Sequence, residues 1–117
     1  MTTRTDAIRE ALARCPFVVV SDCVETDTTA FADVKLPALA WGEKDGTVTN
    51  SERRISRQRA FLSAPGEARG DWRTLCDVAQ RMGFDGFDFD GPHAIFDEHA
   101  RLSAYRNGEA HAETEPG

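Results

Sequence analysis

Residues 17–23 read FVVVSDC, and residues 31–37 read FADVKLP. Phe17–Val20 is a short continuous apolar run rich in β-branched residues. A strand of a parallel sheet, buried on both faces, reads this way. Ser21 and Asp22 follow where that strand ends. Residues 25–32, ETDTTAFA, carry cap-type residues and predict a short helix. Residues 33–36, DVKL, predict a second strand, closed by Pro37. A strand, a short helix and a strand in this order predict part of a doubly wound, Rossmann-like α/β sheet. The connection is shorter than a full crossover.

Flanking segments fit the same class. Residues 5–14, TDAIREALAR, predict a helix capped by Thr5 or Asp6, with Ile8, Ala11 and Leu12 on one face. Cys15-Pro16 stops it. Asp45-Gly46 predicts a turn, and residues 52–62, ERRISRQRAFL, predict an extended segment. After a loop at 64–70, Asp71 opens the clearest helix. Trp72, Leu75, Cys76, Ala79 and Met82 keep helical spacing, and Gly83 sits where a C-terminal glycine belongs. GFDGFDFDG, 83–91, is a connector. Residues 92–102 predict a last helix that starts on Pro92 and carries Ile95, Phe96, His99 and Leu102 along one side. The reading gives one partial α/β domain over 1–105 and a disordered polar tail over 106–117.

The chain has 117 residues. That length excludes a complete multi-cofactor enzyme but not a piece of one, and predicts a modest core. With 14 Lys+Arg against 20 Asp+Glu the net charge is -6, which argues against general nucleic-acid or membrane-surface binding. No apolar run is long enough for a transmembrane helix, and the N-terminus lacks the apolar core of a signal peptide. Cys15, Cys23 and Cys76 form no CxxC pair and read as buried free thiols of a cytoplasmic protein.

Four positions could meet a ligand, each with a plainer structural role beside it. Asp22, beyond a strand end, can accept two N–H donors from a guanine edge, and Ser21 can bond a ribose or phosphate oxygen. On spacing alone, both are read as capping the next turn. Lys44, beside a glycine turn, can meet a phosphate as a point charge, or be a solvated surface lysine. Asp71 can present a carboxylate from a helix start, or serve as the N-cap. Arg53, Arg54, Arg57 and Arg59 read mainly as a packing and ion-pair segment, with phosphate contact as the minor alternative. His93, His99 and His111 lack metal spacing. Asp85, Asp88 and Asp90 match a calcium loop only loosely.

Larger blocks carry a resemblance. CPFVVVSDC, TDTTAFADVKLPA, WGEKDGTVTNSERRISRQRAFL, PGEARGDW and VAQRMGF stand in one order at one spacing, and HAIFDEHARLS follows. Together they resemble the molybdopterin-dependent oxidoreductases, most closely the catalytic subunit of bacterial assimilatory nitrate reductases. The resemblance covers residues 8–105.

It implies a bis(molybdopterin guanine dinucleotide) cofactor with molybdenum, and an iron–sulfur cluster bound elsewhere in the parent enzyme. It also implies a role for Ser21, Asp22, Lys44 and Asp71 as cofactor contacts, with no catalytic residue in this segment. The partner it implies is the remainder of the catalytic subunit. The isolated chain is then expected to be inactive. The other readings are a segment of a related formate dehydrogenase, and a non-catalytic remnant or stand-alone guanine-nucleotide-binding module. Lys35 departs from the family, which has an aliphatic residue there. A lone lysine does not belong in a strand buried on both faces, so the resemblance leaves either an edge strand or a tolerated misfit.

Overall fold

The computed structural model describes residues 3–105. The tail at 106–117, with His111, lies outside the described residues. The chain is mixed α and β. In order it runs α1 (Arg4–Arg14), β1 (Val19–Asp22), β2 (Val34–Pro37), β3 (Gly46–Thr49), β4 (Ile55–Gln58), α2 (Asp71–Arg81) and α3 (Pro92–Ser103), with 3-10 turns at Thr29–Phe31 and Trp41–Glu43. It divides into two compact units. One comprises Met1–Lys44 and Arg59–Leu75, the other Asp45–Gln58 and Cys76–Gly117.

In the first unit, the N-cap of α1 lies two residues before Thr5, the earlier of its two expected caps. Thr3 is the N-cap: its hydroxyl accepts from the Asp6 amide at 3.2 Å, and the Asp6 carboxylate accepts the Thr3 amide at 3.1 Å. This reciprocal box satisfies two orphan donors. The Thr3 hydroxyl, donating to the Asp6 carboxylate at 2.6 Å, and then the Thr3 amide hold the Asp6 carboxyl below its ordinary range.

β1 and β2 pair in parallel, with Val19 opposite Val34 and Asp22 opposite Pro37. The predicted crossover helix is only the 3-10 turn at Thr29–Phe31. The connection, residues 23–33, is shorter than the dozen or more residues that a full helical crossover takes. The expectation of a run buried on both faces fails. Val18 alone is buried, while Phe17 is 62% and Val19 48% exposed. A two-stranded sheet cannot cover both faces of a strand. Lys35 sits without conflict here, since its side chain is exposed and paired with Glu25. That resolves its departure from the family pattern.

β1 is anchored by a side chain that sequence reading passed over. The Val18 amide donates to the Asp33 carboxylate at 2.7 Å, and the Asp33 amide donates to the Val18 carbonyl at 2.9 Å. After β2 the ladder continues through one parallel bridge, Ala38 with Arg69. The Arg69 amide bonds the Pro37 carbonyl, and the Leu39 amide bonds the Arg69 carbonyl.

In the second unit, β3 and β4 form an antiparallel hairpin, with Thr47 opposite Arg57 and Thr49 opposite Ile55. The reversal lies at 50–54, not at Asp45-Gly46, which leads straight into β3. Asn50 closes it: its side-chain oxygen accepts the Arg54 amide and its carbonyl accepts the Arg53 amide. Arg53 takes the left-handed conformation at φ 63°. A non-glycine residue rarely does so, which is why the turn was invisible in the sequence.

Helix α2 ends as its glycine predicts. Gly83 has φ 84°. The Phe84 amide reaches the Ala79 carbonyl and the Gly83 amide reaches the Gln80 carbonyl, the two bonds of a Schellman ending. Helix α3 begins at Pro92, as expected.

Burial is thin. Val18 and Cys76 are the buried apolar side chains among the described residues, and Ile8, Leu75, Met82 and Leu102 are exposed. The expected modest core is therefore not formed. Cys15 and Cys23 are exposed rather than buried, and Cys76 alone is buried. No helix among the described residues is long and apolar enough to cross a membrane.

Candidate functional site

The parallel ladder of the first unit aims three segment ends the same way. β1 ends on Asp22, β2 ends on Pro37, and the bridged residue Arg69 leads through Gly70 to Asp71. Parallel strands present their carboxyl ends on one side, where α/β proteins gather ligands.

Ser21 and Asp22 are the last two residues of β1, opposite Leu36 and Pro37. Successive strand residues face opposite sides, so the two side chains do not share a face. Asp22 borders a cleft of about 190 Å³ together with Cys23, Val24, Glu25, Thr29 and Lys35, and Ser21 does not border it. The Asp22 carboxylate accepts the Cys23 amide at 2.7 Å. Its second oxygen accepts from no protein donor among the described residues, leaving acceptor capacity for an outside N–H pair.

The cleft's far wall is a wired loop. Lys35 Nζ donates to both Glu25 carboxylate oxygens, at 2.8 and 3.0 Å. The buried Thr29 hydroxyl donates toward Glu25 at 3.0 Å and accepts the Thr26 amide at 2.8 Å. The Lys35 ammonium, then the Thr29 hydroxyl, hold the Glu25 carboxyl below its ordinary range. Sequence reading missed Glu25 and Thr29. Their one signal was the cap-type composition of 25–29.

Lys44 and Asp71 are brought together although 27 residues apart: Lys44 Nζ lies 2.9 Å from Asp71 Oδ2. Lys44 follows the 3-10 turn Trp41–Glu43, which is locked locally. The Glu43 carboxylate accepts the Ala40 amide at 2.8 Å, and the Gly42 carbonyl accepts the amides of Phe61 and Leu62. A Cβ on Gly42 would stand 2.8 Å from the Phe61 ring, so only glycine fits without moving it. Asp71 is the first residue of α2, not its N-cap. The Gly70 carbonyl accepts the Thr74 amide, which makes Gly70 the cap. Asp71 is free to face Lys44 because it is not spent on the helix end. Among the described residues no group of three or more His, Cys, Asp or Glu is placed to hold a metal ion.

Comparison with known proteins fits this frame. The family model described as molybdopterin oxidoreductase matches residues 1–81. The chain is 61% identical over 103 residues to a nitrate reductase of Klebsiella oxytoca, covering 86% of this chain and 12% of that protein. It is 56% identical over 101 residues to a nitrate reductase of Shewanella frigidimarina, covering 86% and 11%. It is 45% identical over 96 residues to the F420-dependent formate dehydrogenase 2 subunit alpha of Methanococcus maripaludis, covering 81% and 14%. The chain thus spans a small fraction of the length of these relatives. On the match to residues 1–81, which is more than half of its length, the chain belongs to the molybdopterin oxidoreductase family.

Proposed function

We propose that the chain is a segment of a molybdopterin nitrate reductase catalytic subunit, and that residues 1–105 are part of its doubly wound α/β domain. In this reading the parent enzyme reduces nitrate to nitrite in nitrate assimilation, in the cytoplasm. Its cofactor is a bis(molybdopterin guanine dinucleotide), and an iron–sulfur cluster is ligated outside this chain. When bound, the cofactor supplies molybdenum as the two-electron centre.

The residues present fit one end of such a group. Asp22, at the carboxyl end of a parallel strand, offers a carboxylate with an open oxygen to a guanine N–H edge. Ser21 offers a hydroxyl on the other face. Lys44 has two N–H donors beyond the one it gives Asp71, enough to hold a phosphate oxygen while the pair stays closed. Asp71 keeps that lysine in place and offers its second oxygen to a ligand hydroxyl. None of these residues does redox chemistry; they bind and orient.

The observation that carries this reading is the placement of Asp22 at the end of a parallel ladder that also leads to Asp71. Nitrate is favoured over formate by the 61% and 56% identities to nitrate reductases against 45% to a formate dehydrogenase.

Grafting residues 8–105 into the corresponding place in the Klebsiella oxytoca nitrate reductase tests it. The expected product holds molybdenum and reduces nitrate with a reduced dye, and Asp22→Ala in the graft lowers its molybdenum content. A graft that holds full molybdenum but turns over formate and not nitrate would overturn the substrate assignment. One whose molybdenum content ignores Asp22→Ala would overturn the site.

A further inference from the structure

Among the described residues, the hairpin of the second unit has cations without counterions. Arg53, Arg54 and Arg57 are exposed. None of the three guanidinium groups makes an ion pair or a side-chain hydrogen bond among the described residues. The sequence reading expected ion pairs here, in a chain that carries an excess of acids. Three cations within five residues concentrate positive potential on this hairpin.

That surface has a shaped neighbour. A groove of about 690 Å³ runs between the hairpin and α3, and Arg57, Ile55, Thr47, His93 and Phe96 border it. Arg57 and Ile55 are two apart on β4 and so share a face. His93 and Phe96 are three apart on α3 and so share a side. His93 stands in the first turn of α3, whose N-cap Gly91 gives no side-chain hydrogen bond. Asp45, the acid on the rim, is already engaged in another interaction. The groove therefore has a cationic guanidinium at Arg57, an imidazole that can hydrogen-bond at His93, and an apolar wall at Ile55 and Phe96. Its volume is in the range of small-molecule sites, roughly 300–1,000 Å³.

We propose that this groove binds a small phosphate-bearing ligand with a flat or apolar body, held by Arg57 and His93 at the phosphate and by Ile55 and Phe96 at the body. Arginine suits this task, because its planar fork matches two phosphate oxygens at once. Arg53 and Arg54 extend the positive field that draws the anion in. The site uses none of Ser21, Asp22, Lys44 and Asp71, so it stands apart from the cofactor reading above.

Calorimetric titration of the 117-residue chain with adenosine diphosphate, and in parallel with inorganic pyrophosphate, tests this. Adenine lacks the guanine edge proposed for Asp22. Both ligands are expected to bind, the nucleotide more tightly, and both to shift the His93 imidazole proton resonances. Arg57→Gln is expected to weaken both by about tenfold. Phe96→Ala is expected to weaken the nucleotide and spare pyrophosphate. Circular dichroism checks that each variant is folded. Pyrophosphate binding as tightly as the nucleotide would overturn the assignment of the apolar wall. The proposal as a whole is overturned by absent binding, by affinity indifferent to Arg57→Gln in a folded variant, or by a marked preference for single-stranded polynucleotide over the small ligands.

Discussion

Lys44 and Asp71 form an ion pair at 2.9 Å across 27 residues of chain, and both are positions where a plain structural role competed with ligand binding. The pair joins the end of a 3-10 turn to the first residue of α2. Its side chains are 33% and 58% exposed, so solvent screens the attraction. Exposed pairs of this kind are worth about 0.2–1 kcal/mol. A double-mutant cycle of Lys44→Met and Asp71→Asn, read by urea unfolding, is expected to give a coupling energy within that range. Guanosine diphosphate affinity is expected to fall more on Lys44→Met than on Asp71→Asn, because the lysine meets phosphate and the aspartate mainly holds the lysine. A coupling energy above about 2 kcal/mol, with no change in nucleotide affinity, would make the pair a structural latch only.

Asp33 is the anchor of β1. Its carboxylate takes the amide of Val18, one of two buried apolar residues among those described, and its own amide returns a bond to the Val18 carbonyl. With the carboxylate removed, the Val18 amide loses its acceptor at a part-buried position. Leaving such a donor unsatisfied costs about 1–3 kcal/mol. Asp33→Ala is therefore expected to lower stability by that amount in urea unfolding, and Asp33→Asn, which keeps an acceptor oxygen, by less. Equal losses for the two variants would mean that the carboxylate's hydrogen bond is not what holds β1.

How much of this was legible depended on whether the deciding interaction was local. Helix α2 was readable because its period is strong and Gly83 takes the left-handed conformation that only glycine adopts without strain. The parallel β1–β2 pair was readable from β-branched residues and Pro37. The hairpin reversal was not, because it rests on Arg53 in a conformation that sequence rules reserve for glycine and asparagine. The Lys44–Asp71 and Lys35–Glu25 pairs were not, because pairing at 27 and 10 residues of separation follows from the fold and leaves no local pattern. Burial was misread for a physical reason: an apolar run predicts what a strand is able to cover, not how many neighbours this stretch of chain supplies. The four ligand candidates could be named in advance, but not which of them would meet. Of the two neighbours in sequence, Ser21 and Asp22, only Asp22 borders the cleft.

The Glu25–Lys35 pair makes the cleft beside Asp22 sensitive to acid. Lys35 and then Thr29 hold the Glu25 carboxyl below its ordinary range. A carboxyl depressed in the folded state gives stability that is fully present above its unfolded pKa and is lost as pH falls through the folded one. The window therefore lies on the acid side of the ordinary glutamate value, and the loop at 25–29 stays wired at neutral pH. Carbon-detected NMR titration is expected to place the Glu25 midpoint below that ordinary value, and Lys35→Met to move it back up. Thr29→Val is expected to move it by less, since the hydroxyl is the smaller cause. With its wall loosened, the cleft should lose guanosine diphosphate affinity as pH falls through the Glu25 midpoint. In Lys35→Met the same loss should begin at higher pH. A Glu25 midpoint that ignores Lys35→Met would show that the 2.8 Å pair does not persist in solution, and the cleft would then have no fixed wall opposite Asp22.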